Sequence, residues 1–248
     1  MPALLNQTPE IHAGTLSPVF ELMYYTDEIL HKEQAKAFPK PKIFQEIVTN
    51  TLINYYSDVK NPVVIDKCRA WPAHIDIMKK YVTSNPKLIC TVRHPLDILA
   101  SFITLFHKDK TYNFIDKAMT EQKIPITDDN RCYYMMNPGG IVWESMNALA
   151  TAFRQKETQH IHFIQYDDLV FNPRLVMQNL HGFLRLDSFN YDFDNIIAKD
   201  REKDREVYGL PTMHEVRKSI NKISKPYQEV LSTDVINKYI NYDFWNQQ

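Results

Sequence analysis

Lys87-Leu88-Ile89-Cys90-Thr91-Val92-Arg93-His94-Pro95-Leu96-Asp97-Ile98-Leu99-Ala100-Ser101 reads as a strand that turns at once into a helix. Leu88 to Val92 is a short apolar run bounded by polar residues, the composition of a buried strand. Pro95 suits the first turn of a helix reaching about His107, because its locked φ is helical and its missing N–H is not needed there. Two further runs have the same character, Pro62-Val63-Val64-Ile65-Asp66 upstream and His160-Ile161-His162-Phe163-Ile164-Gln165-Tyr166 downstream. Helical patterns separate them. Ser17 to Gln34 opens on a serine cap and a proline, and Ile43, Ile47, Leu52 and Ile53 recur at roughly helical spacing. Ala73 to Ser84 follows, then Ile141 to Lys156 with Val142, Met146, Leu149 and Phe153 on one stripe, then a helix from Asn172-Pro173 to Leu186. The 109–138 stretch is polar and weakly periodic and reads as a loop-rich insertion, and Asp200 to Glu206 as a solvated charge run. Short buried strands alternating with helices predict one α/β domain over 1–248 with a mainly parallel sheet.

Composition narrows the function classes. The chain has 248 residues, 44% of them hydrophobic, enough for a sizeable core. With 29 basic against 30 acidic residues it lacks the broad cationic footprint of nucleic-acid binders. No apolar run approaches a membrane span, and the first residues do not read as a signal peptide. Cys68, Cys90 and Cys132 lie far apart without metal or redox spacing, which predicts reduced thiols and a cytoplasmic location. His160 and His162 alternate along a strand and read as one buried and one exposed face, so no metal is expected. The five glycines form neither GxGxxG nor GxxxxGK.

In a parallel sheet, ligands bind beyond the carboxyl ends of the strands. There this sequence places cations. Arg93 follows the second predicted strand, a fork-shaped anion donor, with Ser101 two helical turns on. The alternative is that Arg93 pairs with a surface carboxylate and Ser101 is a small packing residue. Lys67 and Arg69 follow the first strand beside Trp71, and Tyr166 follows the third, where it either stacks on a flat ring or covers the core. A late stretch, His214 to Pro226, carries Arg217, Lys218, Lys222 and Lys225. Cations at two strand ends and one late loop suit a multiply phosphorylated ligand. The residues alone leave the reaction open.

Four segments resemble the sulfotransferases that use 3′-phosphoadenosine 5′-phosphosulfate (PAPS). Cys90 to Ser101 is similar to their 3′-phosphate motif, with arginine, proline, and a serine eight residues after the arginine. Phe163-Ile-Gln-Tyr-Asp-Asp-Leu-Val-Phe-Asn-Pro173 resembles their "YEDL…NP" segment. Asn6 to Glu10 and Ser17 to Leu22 resemble the stretch just after their phosphosulfate loop, and Tyr208 to Arg217 with Lys222 to Pro226 the C-terminal part of bacterial and viral members. The similarity runs from about Leu4 to Trp245. It implies a P-loop-NTPase-like three-layer α/β fold, a mainly parallel central sheet flanked by helices. It implies sulfuryl transfer from PAPS, a co-substrate needing no metal, to a hydroxyl or amine on a small molecule, glycan or peptide. Arg93 and Ser101 would hold the 3′-phosphate, Tyr166 would lie near the adenine, and Arg217-Lys218-Ser219 would match a late Arg-Lys-Gly element on the same phosphate. Lys67 falls where the family has a lysine near the transferred group. A kinase relative using ATP is disfavoured by the lack of GK[ST] and by the Arg93/Ser101 spacing.

Two departures from the family pattern set expectations. The glycine-containing 5′-phosphosulfate loop is not found, since Met1-Pro2 runs directly into Ala3-Leu4-Leu5. A catalytically impaired module keeping only the 3′-phosphate half of the site is therefore the alternative to an enzyme. Loss of the loop and its strand would leave a slot between the strands around Leu88 and Phe163, so three outcomes are expected: further residues before Ala3, shown by a stretched Pro2–Ala3 link, another chain filling the slot, or a sheet closed up with one strand fewer. Second, Arg69 and Trp71 stand where cytosolic members have a histidine base, and arginine stays protonated. His12, Asp66 and Glu144 are the candidates for that base.

Overall fold

Proline at position 2 starts the first helix of the computed structural model, which describes residues 1–109, 112–198, 203–221 and 225–246. Helix α1 (Pro2–Leu5) buries Leu4 and Leu5, and the Leu4 and Leu5 N–H groups both donate to Met1 O, at 3.0 and 3.1 Å. The Pro2–Ala3 link thus lies inside a continuous helix rather than a stretched junction. Strand β1 (Ile11–Ala13) follows, then α2 (Val19–Leu30) and α3 (Pro41–Tyr55), which pack on one another. Strand β2 (Val63–Ile65), α4 (Ile75–Tyr81), β3 (Leu88–Val92) and α5 (Pro95–Asp109) carry the chain to a helical region. That region comprises α6 (Phe114–Glu121), α7 (Asp128–Met136) and α8 (Ile141–Arg154). Then come β4 (Ile161–Gln165), α9 (Tyr166–Phe171), α10 (Pro173–Leu184), α11 (Asp204–Tyr208) and α12 (Thr233–Tyr239).

All strand pairing among the described residues is parallel. β1 pairs with β2 (Ile11 opposite Val63, Ala13 opposite Ile65), and β3 pairs with β4 from Leu88 opposite Ile161 to Val92 opposite Gln165. This is the expected α/β class, with its hydrogen bonding divided into two two-stranded ladders. Around Leu88 and Phe163 the chain takes the closed alternative and leaves no slot: those two strands bond directly along all five residues. The interruption falls between the two pairs, and β2 is only half-buried along its whole length. β1, Ile-His-Ala, was not legible in the sequence because it has one β-branched residue, whereas the equally short β2 is a Val-Val-Ile run.

Apolar clusters flank the ladders. One joins Ile11, Ala13, Val63 and Ile65 of the first pair to Ile89 and Ile164 of the second, under α10. A second packs Leu88, Val92 and Ile161 with Trp71, Ile75, Leu149 and Ala152. The third lies among α5, α6, α7 and α12. The 109–138 stretch is thus not loop-rich: it carries α6 and α7. The Asn113 Oδ1 accepts from the Ile115 and Asp116 N–H groups at 3.0 Å, and Thr127 caps α7. The Arg131 guanidinium then forks onto both Asp116 oxygens at 2.7 Å, tying the two helices together. Each helix is barely two turns long, so its apolar period is brief and its polar face dominates the sequence.

Candidate functional site

The β3–β4 register puts Val92 opposite Gln165, so the next residues of each strand, Arg93 and Tyr166, emerge side by side. The Arg93 guanidinium carbon sits 4.2 Å from the centre of the Tyr166 ring. A cation over an aromatic face is held electrostatically by the ring quadrupole, which fixes the fork of N–H donors in place. His94 then secures the start of α5. Its Nδ1 accepts from the Leu96 N–H at 3.2 Å, so the proton is on Nε2, which donates to Ile240 O at 3.0 Å. The same ring stacks on Tyr227 at 5.9 Å. Sequence reading passed over His94, although its place between Arg93 and Pro95 marks a helix entry. Ser101 lies two turns along α5 on its exposed side, opposite buried Leu96, Leu99, Ala100 and Ile103.

The segment after β2 packs against the second ladder. Cys68, Ala70 and Trp71 share an apolar cluster with Val92. Asp66 is the centre of this corner: its Oδ1 accepts from the Ser17 and Tyr56 hydroxyls and its Oδ2 from the Trp71 Nε1–H at 2.8 Å. Burial pushes the Tyr56 phenol well above its ordinary value, and the bond and charge of Asp66 push it further. Burial likewise raises the Cys68 thiol. Lys67 is half-buried beside these groups, and the exposed Arg69 donates from Nη1 to Ile141 O, at the start of α8, at 3.4 Å.

The base candidates divide. The His12 ring meets the Tyr56 ring edge-on at 5.8 Å, Asp66 is engaged by three donors, and Glu144 is exposed in the first turn of α8. In the late stretch Arg217 and Lys218 are exposed, and the backbone there is anchored by Ile196 N–H to Lys218 O at 2.7 Å and Ile220 N–H to Phe193 O at 3.2 Å. Phe193 packs in the cluster that joins the two ladders under α10, so the stretch is tied to that layer through the 193–196 segment. Lys222 falls outside the described residues. The Asp200–Glu206 run is not wholly a solvated face. Asp204 is buried and accepts from both Nδ1 and the backbone N–H of His214, each at 2.7 Å. A carboxylate paired ten positions along leaves no local periodic signal.

No curated protein matches this chain. Among solved structures, a sulfotransferase domain from the curacin biosynthetic pathway superposes with a TM-score of 0.52 at 14% identity, covering 96% of this chain and 91% of that one. At that identity the likeness is one of fold, and the fold is the P-loop-like α/β arrangement described above. The model of the sulfotransferase domain family matches residues 16–232. That span takes in the Asp66 corner, the Arg93–Tyr166 pair and the late basic stretch, and the chain therefore belongs to the sulfotransferase-domain family of transferases.

Proposed function

We propose that this chain binds PAPS and transfers its sulfuryl group to a hydroxyl or amine acceptor, a small molecule or a group on a glycan or peptide. The observation that carries the reading is the Arg93–Tyr166 pair at the adjoining ends of β3 and β4. A guanidinium braced by an aromatic face presents paired N–H donors to phosphate oxygens without losing side-chain entropy at binding. In this reading Arg93 and the Ser101 hydroxyl hold the 3′-phosphate, Tyr166 borders the adenine, and Arg217 and Lys218 approach the same phosphate. Lys67 faces the transferred group. PAPS when bound supplies an activated sulfuryl group whose leaving group is adenosine 3′,5′-bisphosphate. The S–O bond to the leaving phosphate breaks as the acceptor oxygen or nitrogen bonds to sulfur, and the acceptor proton passes to a base. Lys67 and the fixed cations neutralise charge growing on the leaving side, so positioning and electrostatics carry the catalysis.

The cysteines support a reducing, cytoplasmic setting. Cys68, Cys90 and Cys132 are all free, and burial holds the Cys90 thiol up at about 11 and the Cys132 thiol at about 12. No helix among the described residues is long and apolar enough to cross a membrane.

Calorimetry with adenosine 3′,5′-bisphosphate tests the nucleotide without knowledge of the acceptor. Arg93→Ala should weaken that binding by about 1.5–3 kcal/mol, the worth of a hydrogen bond to a charged group, and weaken 5′-AMP binding much less. Equal losses for the two nucleotides refute the assignment. Bisphosphate binding with no sulfuryl transfer from PAPS would replace the enzyme by a nucleotide-binding module.

A further inference from the structure

We propose that Asp66 is a positioning residue whose carboxylate clamps both ends of the Lys67–Ala70 turn and thereby sets where Lys67 is presented. The proposal rests on the reading above that Lys67 faces the transferred group. The last bond linking this edge of β2 to β1 is Gly14 N–H to Ile65 O at 3.0 Å, one residue before Asp66. The next backbone anchor is Ala73 N–H to Ala70 O at 2.9 Å, where the chain winds into a short 3-10 turn at Trp71–Ala73. Between those anchors the Asp66 side chain makes the bridge. Its Oδ2 takes the Trp71 Nε1–H at 2.8 Å, closing the turn on itself, and Trp71 is only 6% exposed, so that end cannot drift.

The other carboxylate oxygen fixes the turn to the rest of the fold. Oδ1 accepts the Tyr56 hydroxyl at 2.7 Å, from the residue just after α3, and the Ser17 hydroxyl, from the entry to α2. Ser17 in turn accepts the Val19 N–H at 3.3 Å, so the clamp is continuous with the first turn of α2. Arg69 leans outward onto Ile141 O at 3.4 Å, pinning the crest of the turn to the start of α8. Three donors on one carboxylate make it a brace, because both oxygens are already committed as acceptors. The proposal gives Asp66 this task in place of that of base. A lysine on a flexible stem gains directional effect only when its backbone is held, and here the Asp66 carboxylate contributes three of the bonds that hold it.

The test compares Asp66→Asn, Tyr56→Phe, Ser17→Ala and Lys67→Ala with the wild-type chain. The first readout is the preference for PAPS over adenosine 3′-monophosphate, which isolates recognition of the 5′-phosphosulfate that Lys67 faces. The second is hydrogen exchange of the amides from 67 to 70, which needs no nucleotide. Asp66→Asn should speed that exchange and cut the preference about tenfold, the loss of one charge-assisted contact, with 3′-monophosphate affinity unchanged. Tyr56→Phe and Ser17→Ala, which keep the carboxylate and one donor fewer, should move both readouts the same way by less. A residue of merely structural importance would instead weaken both nucleotides alike. Unchanged exchange and unchanged preference in Asp66→Asn overturn the clamp. So does a loss of preference in Lys67→Ala that Asp66→Asn fails to reproduce. An unchanged preference in Lys67→Ala overturns the assignment of Lys67 instead, and failure of the wild-type chain to bind either nucleotide overturns the nucleotide reading itself.

Discussion

In the proposed reading Tyr166 acts through its ring rather than its hydroxyl. Its face carries the Arg93 guanidinium at 4.2 Å. Tyr166→Phe should therefore leave bisphosphate affinity within about twofold, whereas Tyr166→Ala should cost about 0.5–2 kcal/mol, the range of a cation–π contact. Titration calorimetry on the two variants checks this, and equal losses would assign the role to the hydroxyl. Asp27 is one residue whose environment ties its charge to folding. Burial raises its pKa, but the hydrogen bonds from Lys80 and Tyr81 and the charges of Lys80 and His31 outweigh that and hold it below its ordinary value of 3.8. A carboxylate depressed by folding adds stability above its unfolded pKa and loses it as pH falls through the folded one. Thermal stability should accordingly drop as pH is lowered through the region around and below 3.8, and Asp27→Asn should flatten that part of the profile. A variant with the same acid slope as the wild type would place the sensitivity elsewhere.

Among the elements, the α7–α8 junction leaves no room for a side chain. Gly140, the residue before α8, has ordinary φ, yet a Cβ there would lie 2.3 Å from Tyr134 O and 2.5 Å from Met135 O. Both obstacles are backbone, so Gly140→Ala should destabilise by at least about 2 kcal/mol through overpacking. Asn113→Ala, which removes the α6 cap, should cost about 1 kcal/mol. Denaturant unfolding orders the two, and the reverse order would show that the α7–α8 junction relaxes around a methyl group. Both effects come from a region whose sequence reads as loop, because the caps that create α6 and α7 are single polar residues amid other polar residues.

Across the whole molecule, the C-terminal segment closes the site end of the second ladder. Ile240 O accepts from His94, Tyr227 stacks on the same ring, and Gln165 at the end of β4 donates to Asn246 Oδ1 at 2.6 Å. The family model stops at residue 232, yet Val235 and Tyr239 are buried in one apolar cluster, and Phe244 and Trp245 pack against another. A chain ending at Leu231 should therefore lose cooperative thermal unfolding and bisphosphate binding together. A truncated chain that unfolds sharply and still binds would show that the tail is an accessory.

The sequence by itself determined the strands at 63–65, 88–92 and 161–165, most helices, the cations after the strands, and the family. All of these are written in short windows, where β-branched runs, prolines and motif spacing act locally. Tertiary structure decided the rest. The three-residue β1 is a strand only because β2 offers it a ladder, and the split into two ladders is a matter of which edges meet. Arg93 and Tyr166 each look like isolated strand-end residues until the β3–β4 register sets them side by side. Ser17 and Asp66 are 49 residues apart, and nothing in either neighbourhood announces the other. Hydrogen bonds of that kind depend on how packed elements are oriented, a property of the buried core as a whole that no local pattern encodes.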